Sequence, residues 1–426
     1  VSIFQQLILT LRGTTQGSFI ERKLNLREET MSIGELCKRI MQSDGEYSSL
    51  LLSERILNAY AELDDEQQLA FFNLLLADYD IDVDQLKRSV DAYALQPSGP
   101  NMNQLTSAAE PSRQELLRRL NFGHKATPKL VKMRENLLNA AQKQPELKKM
   151  DADFKHLFNS WFNRGFLIMQ PIDWQTPAHI LEKIIAYEAV HEIKNWRALR
   201  QRLEPADRRC YAFFHPSMID DPLVFVEVAL THKVSSSINE ILSDDREVLD
   251  PLQAKCAIFY SISNCHKGLA GISFGNFLIK QVATRLQKDL PQLQDFSTIS
   301  PAPAFSQWLQ QQAEHEFLIK KLLQQVEQPL DLTNQNQLIY LAAEYYLLEK
   351  TAGKKPIDPV ARFHLKNGAT LHRINPVADL SENGLKQSMG LMVNYHYDLS
   401  TVERNHERYV NQHEVICHKQ ISQLLN

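Results

Sequence analysis

The sequence predicts a chain in two parts, an all-α first part followed by a part that mixes short strands with helices and is of α/β or α+β type. Three observations carry this expectation. From about Ile33 to Phe166 apolar residues recur at helical spacing. After "WFNRGFLIMQPIDWQ" short β-rich runs bounded by Pro, Asp and Ser lie among helices. One of those runs, "AKCAIFYSIS", leads straight into "NCHKGLAGISFGNFLIKQVATRLQ", three glycines followed by an apolar helix. At 426 residues the chain is long enough for roughly two or three domains, each with its own core.

Taken in order, "LDDEQQLAFFNLLLADYDIDVDQLKRSVDAYAL" places Leu69, Phe72, Leu76 and Tyr79 on one helix face, and Asp64 with Gln67 three residues on reads as a capping box. "QPSGPNMNQLTSAAEPSR", rich in Pro, Ser and Asn, reads as a surface loop. It is not a domain boundary, because "QELLRRLNF" and "KLVKMRENLLNAAQ" resume the helical pattern. "CYAFFHP", "PLVFVEVALT", "AKCAIFYSIS" and "FSTISPAP" read as strands, and "NFLIKQVATRLQKDL" and "QLIYLAAEYYLLEK" as helices. In "PVARFHLKNGATLHRIN" a helix end meets Asn367-Gly368 and then a strand. "RNHERYVNQHEVICHKQISQLL" is expected to close the chain as an amphipathic helix.

Charge and composition exclude several classes. The chain carries 47 Lys+Arg against 51 Asp+Glu and has a pI of about 6.4, which argues against a broad nucleic-acid surface. Any anion site must be local. The five cysteines are odd in number, scattered and never C-x-x-C, which fits reduced thiols in a cytosol-like compartment, with no disulfide and no zinc. The longest apolar stretch, "PLVFVEVAL", is interrupted by Glu227 and falls far short of the roughly 20 residues of a spanning helix. "VSIFQQLILTLRG" at the start has no basic n-region or cleavage site, and "QISQLLN" at the end has no targeting or prenylation signal.

The candidate chemistry begins with the glycines. Gly268, Gly271 and Gly275 leave backbone amides uncovered at a helix start, where the dipole adds partial positive charge and a phosphate would fit. The spacing G-x-x-G-x-x-x-G is neither a dinucleotide fingerprint nor a P-loop, and a turn needing positive φ explains it equally well. "HEVICH" sets His413 and His418 five apart, one more than a zinc helix needs, so a solvated helix face is the better reading. His364 stands just before a tight turn, where a helix end can project a ring into a cleft. Ser300 is followed by Pro301 and Pro303, which fix the backbone direction, but without the G-x-S-x-G elbow an acyl-serine mechanism is rejected. Glu227 alternates with apolar neighbours along a strand. Buried it would need a partner, and an exposed strand face is the commoner outcome.

In order and approximate spacing, "RRCYAFFHP", "PLVFVEVALT", "AIFYSISNCHKGLAGISFGNFLIKQV", "STISPAPAF", "PVARFHLKNGATLHRIN" and "GLMVNYHYDL" resemble the malonyl-CoA decarboxylase family. The resemblance covers most of the chain after about residue 150, and the helical first part is similar to that family's N-terminal helical domain. It implies an α+β chain of two domains: a helical bundle over 1–158 that serves oligomerisation, then a catalytic domain over 159–426 similar to the GCN5-related acetyltransferase fold. In that fold a strand-loop-helix binds the pyrophosphate of coenzyme A. The loop falls on Ala270, Gly271, Ile272, Ser273, Phe274, Gly275 and Asn276, the catalytic serine on Ser300, the catalytic histidine on His364, and a tyrosine of the site on Tyr397.

The activity so implied is decarboxylation of malonyl-CoA to acetyl-CoA and CO₂ through a thioester enolate, with no metal and no cofactor. His364 is expected to give the proton, and Ser300 to bond the malonyl carboxylate or to couple to the histidine. A CoA-dependent acyltransferase using the same loop is the alternative. The resemblance further implies a homo-oligomer, a tetramer, in the cytoplasm, without nucleic-acid or membrane partners. Two departures stand out: Ser273 replaces an acidic residue of animal relatives, and Ala304 replaces the glycine of "SP-x-PGF".

Overall fold

The computed structural model describes residues 31–272, 274, 278–312 and 332–425. The chain divides into two compact units, Val1–Trp161 with Lys267–Ile272, and Phe162–His266 with Ser273–Asn426.

The first unit is helical: α1 (Ile33–Gln42), α2 (Glu46–Ala61), α3 (Asp65–Asp78), α4 (Val83–Leu95), α5 (Gly99–Ala108), α6 (Ser112–Leu120), α7 (Ala126–Lys143) and α8 (Lys148–Trp161). Side-chain caps set several starts, with Ser32 and Asp64 in reciprocal boxes with Glu35 and Gln67. The stretch expected to be a surface loop is instead α5. Ser98 accepts the Asn101 amide and Pro100 occupies the first turn, where a missing N–H costs nothing. On α3 the buried residues are Phe71, Phe72 and Leu75, with Tyr79 buried just past its end, while Leu69 and Leu76 are half-buried, so the core face is turned from the one expected. Tyr60 packs on both phenylalanines, ring centroids 5.4 and 6.0 Å away. Each such buried side chain contributes roughly 1.5–3 kcal/mol.

The segment 267–272 packs in this unit. Its short 3₁₀ turn, Lys267–Leu269, lies so close to α7 that a Cβ on Gly268 would stand 1.9 Å from the Val131 carbonyl oxygen. Gly268 is a glycine because of that approach.

The second unit is a mixed sheet with helices. In chain order it holds β1 (Ile168–Ile172), α9 (Ala178–Tyr187), α10 (Trp196–Leu203), β2 (Arg208–Phe214), β3 (Val224–Thr231), α11 (Ile238–Leu242) and β4 (Cys256–Asn264). There follow α12 (Leu278–Asp289), β5 (Asp295–Thr298), β6 (Ser300–Pro301), α13 (Phe305–Gln312), α14 (Leu332–Leu347) and α15 (Pro359–Lys366). The described chain closes with β7 (Thr370–Asn375), α16 (Glu382–Ser388), β8 (Met392–His396), α17 (Val402–Gln412) and α18 (Lys419–Ser422). The strand order is β1-β2-β3-β4-β5-β8-β6, with β7 on β8. All pairs are antiparallel except β4 and β5, which are joined through α12. A helical first part followed by a mixed-sheet domain is the α+β arrangement the sequence led us to expect, including the strand-loop-helix after β4. The parallel ladder ends at Phe259 and Thr298 while β4 runs on to Asn264, so the chain parts from β4 just before Ser300, which pairs instead with Val393 of β8.

Two local expectations are corrected here. Glu227 is fully buried on β3 and is met by Arg202 of α10 at 2.8 Å. A partner from a covering helix, which strand alternation cannot reveal, makes burial possible. The final amphipathic helix stops at Gln412. His413 takes φ +57°, and the chain then bridges from Cys417 to Leu371 before His418 caps α18, so His413 and His418 share no helix face. Ala304 is not among the residues with positive φ, so replacing the family's glycine brings no backbone strain. The five cysteines are free thiols. No described helix is long and apolar enough to cross a membrane.

Candidate active site

His364 is fixed by both ends of α15. At the start, Asp358 is the N-cap, accepting the Ala361 amide at 2.7 Å and the Tyr345 hydroxyl at 3.1 Å. Burial pushes its carboxyl up to about 6. At the end, the Gly368 and Ala369 amides bond the carbonyls of Leu365 and His364. Gly368 has φ +82°, and a Cβ there would lie 1.9 Å from the Val402 oxygen, so only glycine closes this turn. The imidazole then stacks on Tyr395 of β8, centroids 4.4 Å apart and planes 22° apart.

Ser300, His364 and Tyr397, separated in turn by 64 and 33 positions in sequence, form one line of hydrogen bonds. Ser300 Oγ is 3.0 Å from His364 Nε2, and His364 Nδ1 is 2.8 Å from the Tyr397 hydroxyl. Ser300 Oγ also donates to Thr298 Oγ1 at 2.9 Å, and the Tyr395 amide donates to the same oxygen at 3.2 Å. Burial pushes His364 down to about 3 and holds the Tyr397 phenol above the ordinary tyrosine range. At neutral pH the imidazole is therefore uncharged and the phenol protonated. A protonated phenol donating to Nδ1 puts the ring hydrogen on Nε2, facing Ser300. Exposure falls from 6% at Ser300 to 3% at His364 and 1% at Tyr397, so the serine is the end of the line nearest solvent.

Thr298, Tyr395 and Asp358 were missed in the sequence. Thr298 and Tyr395 stand two residues before Ser300 and Tyr397, a strand period that puts them on the same face. Asp358-Pro359 is an N-cap followed by an N1 proline, so each had a signal.

The loop is less uniform than the glycine spacing suggests. Gly271 has φ +74°. The Ala270 and Ile272 amides, however, bond the Lys267 and Leu269 carbonyls at 3.0 Å, which leaves the Gly271 amide as the one of the three without a partner among the described residues. Phe274 is buried edge-on against Phe162, centroids 6.5 Å apart. Ser273, Gly275 and Asn276 lie outside the described residues. Among the described residues no group of three or more His, Cys, Asp or Glu side chains is placed to hold a metal ion.

A helical unit is followed by a mixed-sheet unit that encloses a neutral Ser-His-Tyr hydrogen-bond line, without a nucleophilic elbow. Comparison with known proteins is more specific. The chain belongs to the malonyl-CoA decarboxylase family, since residues 165–426 match that family's C-terminal domain and residues 79–162 its N-terminal domain. It is 37% identical to the mitochondrial malonyl-CoA decarboxylase of the goose Anser anser anser over 67% of this chain, and 37% identical to that of Rattus norvegicus over 70%. It spans 63% and 67% of those animal proteins. Malonyl-CoA decarboxylase structures from Rhodopseudomonas palustris and Agrobacterium vitis are similar at 44% and 46% identity, both with a TM-score of 0.87. They align over 92% and 93% of this chain and all of theirs.

Proposed function

We propose that this chain decarboxylates malonyl-CoA to acetyl-CoA and CO₂, using Ser300, His364 and Tyr397. The observation that carries the chemistry is the unbroken hydrogen-bond line from Tyr397 through a neutral His364 to Ser300. Breaking the bond between the carboxylate and Cα releases CO₂ and leaves the electron pair on Cα, delocalised onto the thioester oxygen. Cα then takes the Ser300 hydroxyl proton, and Ser300 is reprotonated from His364 Nε2 as Tyr397 supplies Nδ1. The negative charge that arrived with the carboxylate ends on this relay and is discharged by a proton from water. The buried site never holds more than the one charge it received. His364 reaches the substrate through Ser300, because both ring nitrogens are engaged, so the serine makes the final transfer.

Residues 270–276 serve as the coenzyme-A loop in this reading, supported by the positive φ of Gly271 and by its amide, which has no partner among the described residues. Incubating the purified chain with malonyl-CoA and no acyl acceptor should yield acetyl-CoA. Turnover that appears only when an amine acceptor is added would favour the acyltransferase alternative and sink the proposal.

The helical domain, 1–158, self-associates in this proposal, as a tetramer. Helix α4 buries none of its residues, and Val83 and Val90, one heptad apart, are 56% and 46% exposed, which suits a helix awaiting a partner. Light scattering at micromolar concentration should give a multiple of the chain mass, and a monomer would overturn this. Five free thiols, four of them buried, support a reducing compartment such as the cytoplasm.

A further inference from the structure

Arg134 of α7 is fully buried and has three jobs. Its Nε bonds Asp151 Oδ1 at 2.9 Å, while Nη1 and Nη2 donate to the carbonyls of Gly268 and Ala270 at 2.6 and 2.9 Å. The other oxygen of Asp151 is taken by Lys155, one helical turn on, at 2.7 Å. A Cβ placed on Gly271 would lie 3.7 Å from Lys155 Cε. Loop and cation are thus assembled within the first unit.

A lysine four residues after an aspartate is ordinarily a weak surface pair. Here the carboxylate is buried and already neutralised by Arg134, so two cations share one anion and a positive charge is left over. That charge is carried by a side chain 46% exposed, beside a positive-φ glycine whose amide has no partner among the described residues. Turning the Gly268 and Ala270 carbonyls toward Arg134 also keeps two acceptor oxygens, which would repel an anion, away from the loop's open side. A cation and a free amide converging next to bare backbone suit a phosphate.

We infer that Lys155 binds a phosphate of the coenzyme-A moiety and that Arg134, through Asp151 and the two carbonyls, is the positioning residue for that subsite. The inference rests on the reading of residues 270–276 as the coenzyme-A loop. The test compares malonyl-CoA with malonyl-pantetheine, which keeps the thioester and lacks every phosphate. Lys155→Met raises KM for malonyl-CoA roughly tenfold with kcat unchanged, and leaves both constants for malonyl-pantetheine as in the parent. Lys155→Arg restores KM to within about threefold. Arg134→Lys, which keeps the charge and loses the fork, raises KM for malonyl-CoA alone.

Equal losses with both thioesters, or no loss with either, overturn the inference. Gly271→Val in the same assay separates the two levels. If it raises KM for malonyl-CoA selectively and Lys155→Met does not, the loop stands and the inference falls. If neither variant discriminates between the thioesters, the loop reading falls and takes the inference with it.

Discussion

Replacing His364 with Asn lowers kcat for malonyl-CoA decarboxylation by roughly a hundred- to ten-thousand-fold and leaves KM within about threefold. The imidazole is the only member of the line that touches both other members, at 3.0 Å to Ser300 and 2.8 Å to Tyr397. Asparagine can hydrogen-bond one neighbour but cannot accept a proton on one atom while giving one from another. Steady-state kinetics on the purified variant checks this, and near-parental kcat would remove His364 from the chemistry.

The same variant carries a signature in acid. Burial holds His364 down at about 3 against the 6.5 of an ordinary histidine, so the unfolded chain takes up a proton that the native site refuses. The stability from the neutral ring is complete above pH 6.5 and is lost as pH falls toward 3, by about 1.4 kcal/mol per unit. Between pH 7 and pH 5 the parent should therefore lose about 2 kcal/mol more than His364→Asn in urea unfolding. Parallel losses would mean the ring is not kept neutral by burial.

The largest stability effect is expected at the ion pair behind β3. Arg202→Met costs roughly 3–5 kcal/mol, because it leaves the Glu227 carboxylate buried without its countercharge. Glu227 Oε1 already lacks a hydrogen-bond partner, and burial pushes this carboxyl up to about 7 against the pull of Arg202, so the guanidinium is what keeps it tolerable. Arg202 also donates to the His191 carbonyl at 2.7 Å, which holds the chain between α9 and α10. Arg202→Met with Glu227→Met should recover more than half of the loss in urea unfolding. A single variant costing under about 1 kcal/mol, or a double variant as unstable as the sum of both singles, would contradict this.

Much of the fold was legible because local rules and tertiary structure agree in it. The Asp64-Gln67 box starts α3, Asn367-Gly368 ends α15, and the β-rich runs became the sheet. The misreadings occurred where one signal has two meanings. Ser98 and Pro100 can open a loop or cap a helix, and α5 is the second case. Glu227 on an alternating strand can face water or an arginine, and only the covering helix decides. His413 looked helical until positive φ ended α17 at that residue. The site was legible as residues and not as a network: the resemblance pointed to Ser300, His364 and Tyr397, whereas a ring driven neutral by burial is a property of the packed sheet. Arg134, Asp151 and Lys155 had no signal at all, because their relation to Gly271 exists only once α7 and α8 carry the loop.

The kcat of the Ser300→Ala, His364→Asn double variant, set beside the two singles, tests most directly whether these side chains act as one relay. Groups that work as a unit lose their function once. The account therefore predicts that both singles lose kcat by similar factors and that the double variant is little worse than the weaker single. Losses that multiply would show two independent contributions, and the relay from Tyr397 through His364 to Ser300 would have to be given up even with decarboxylation intact.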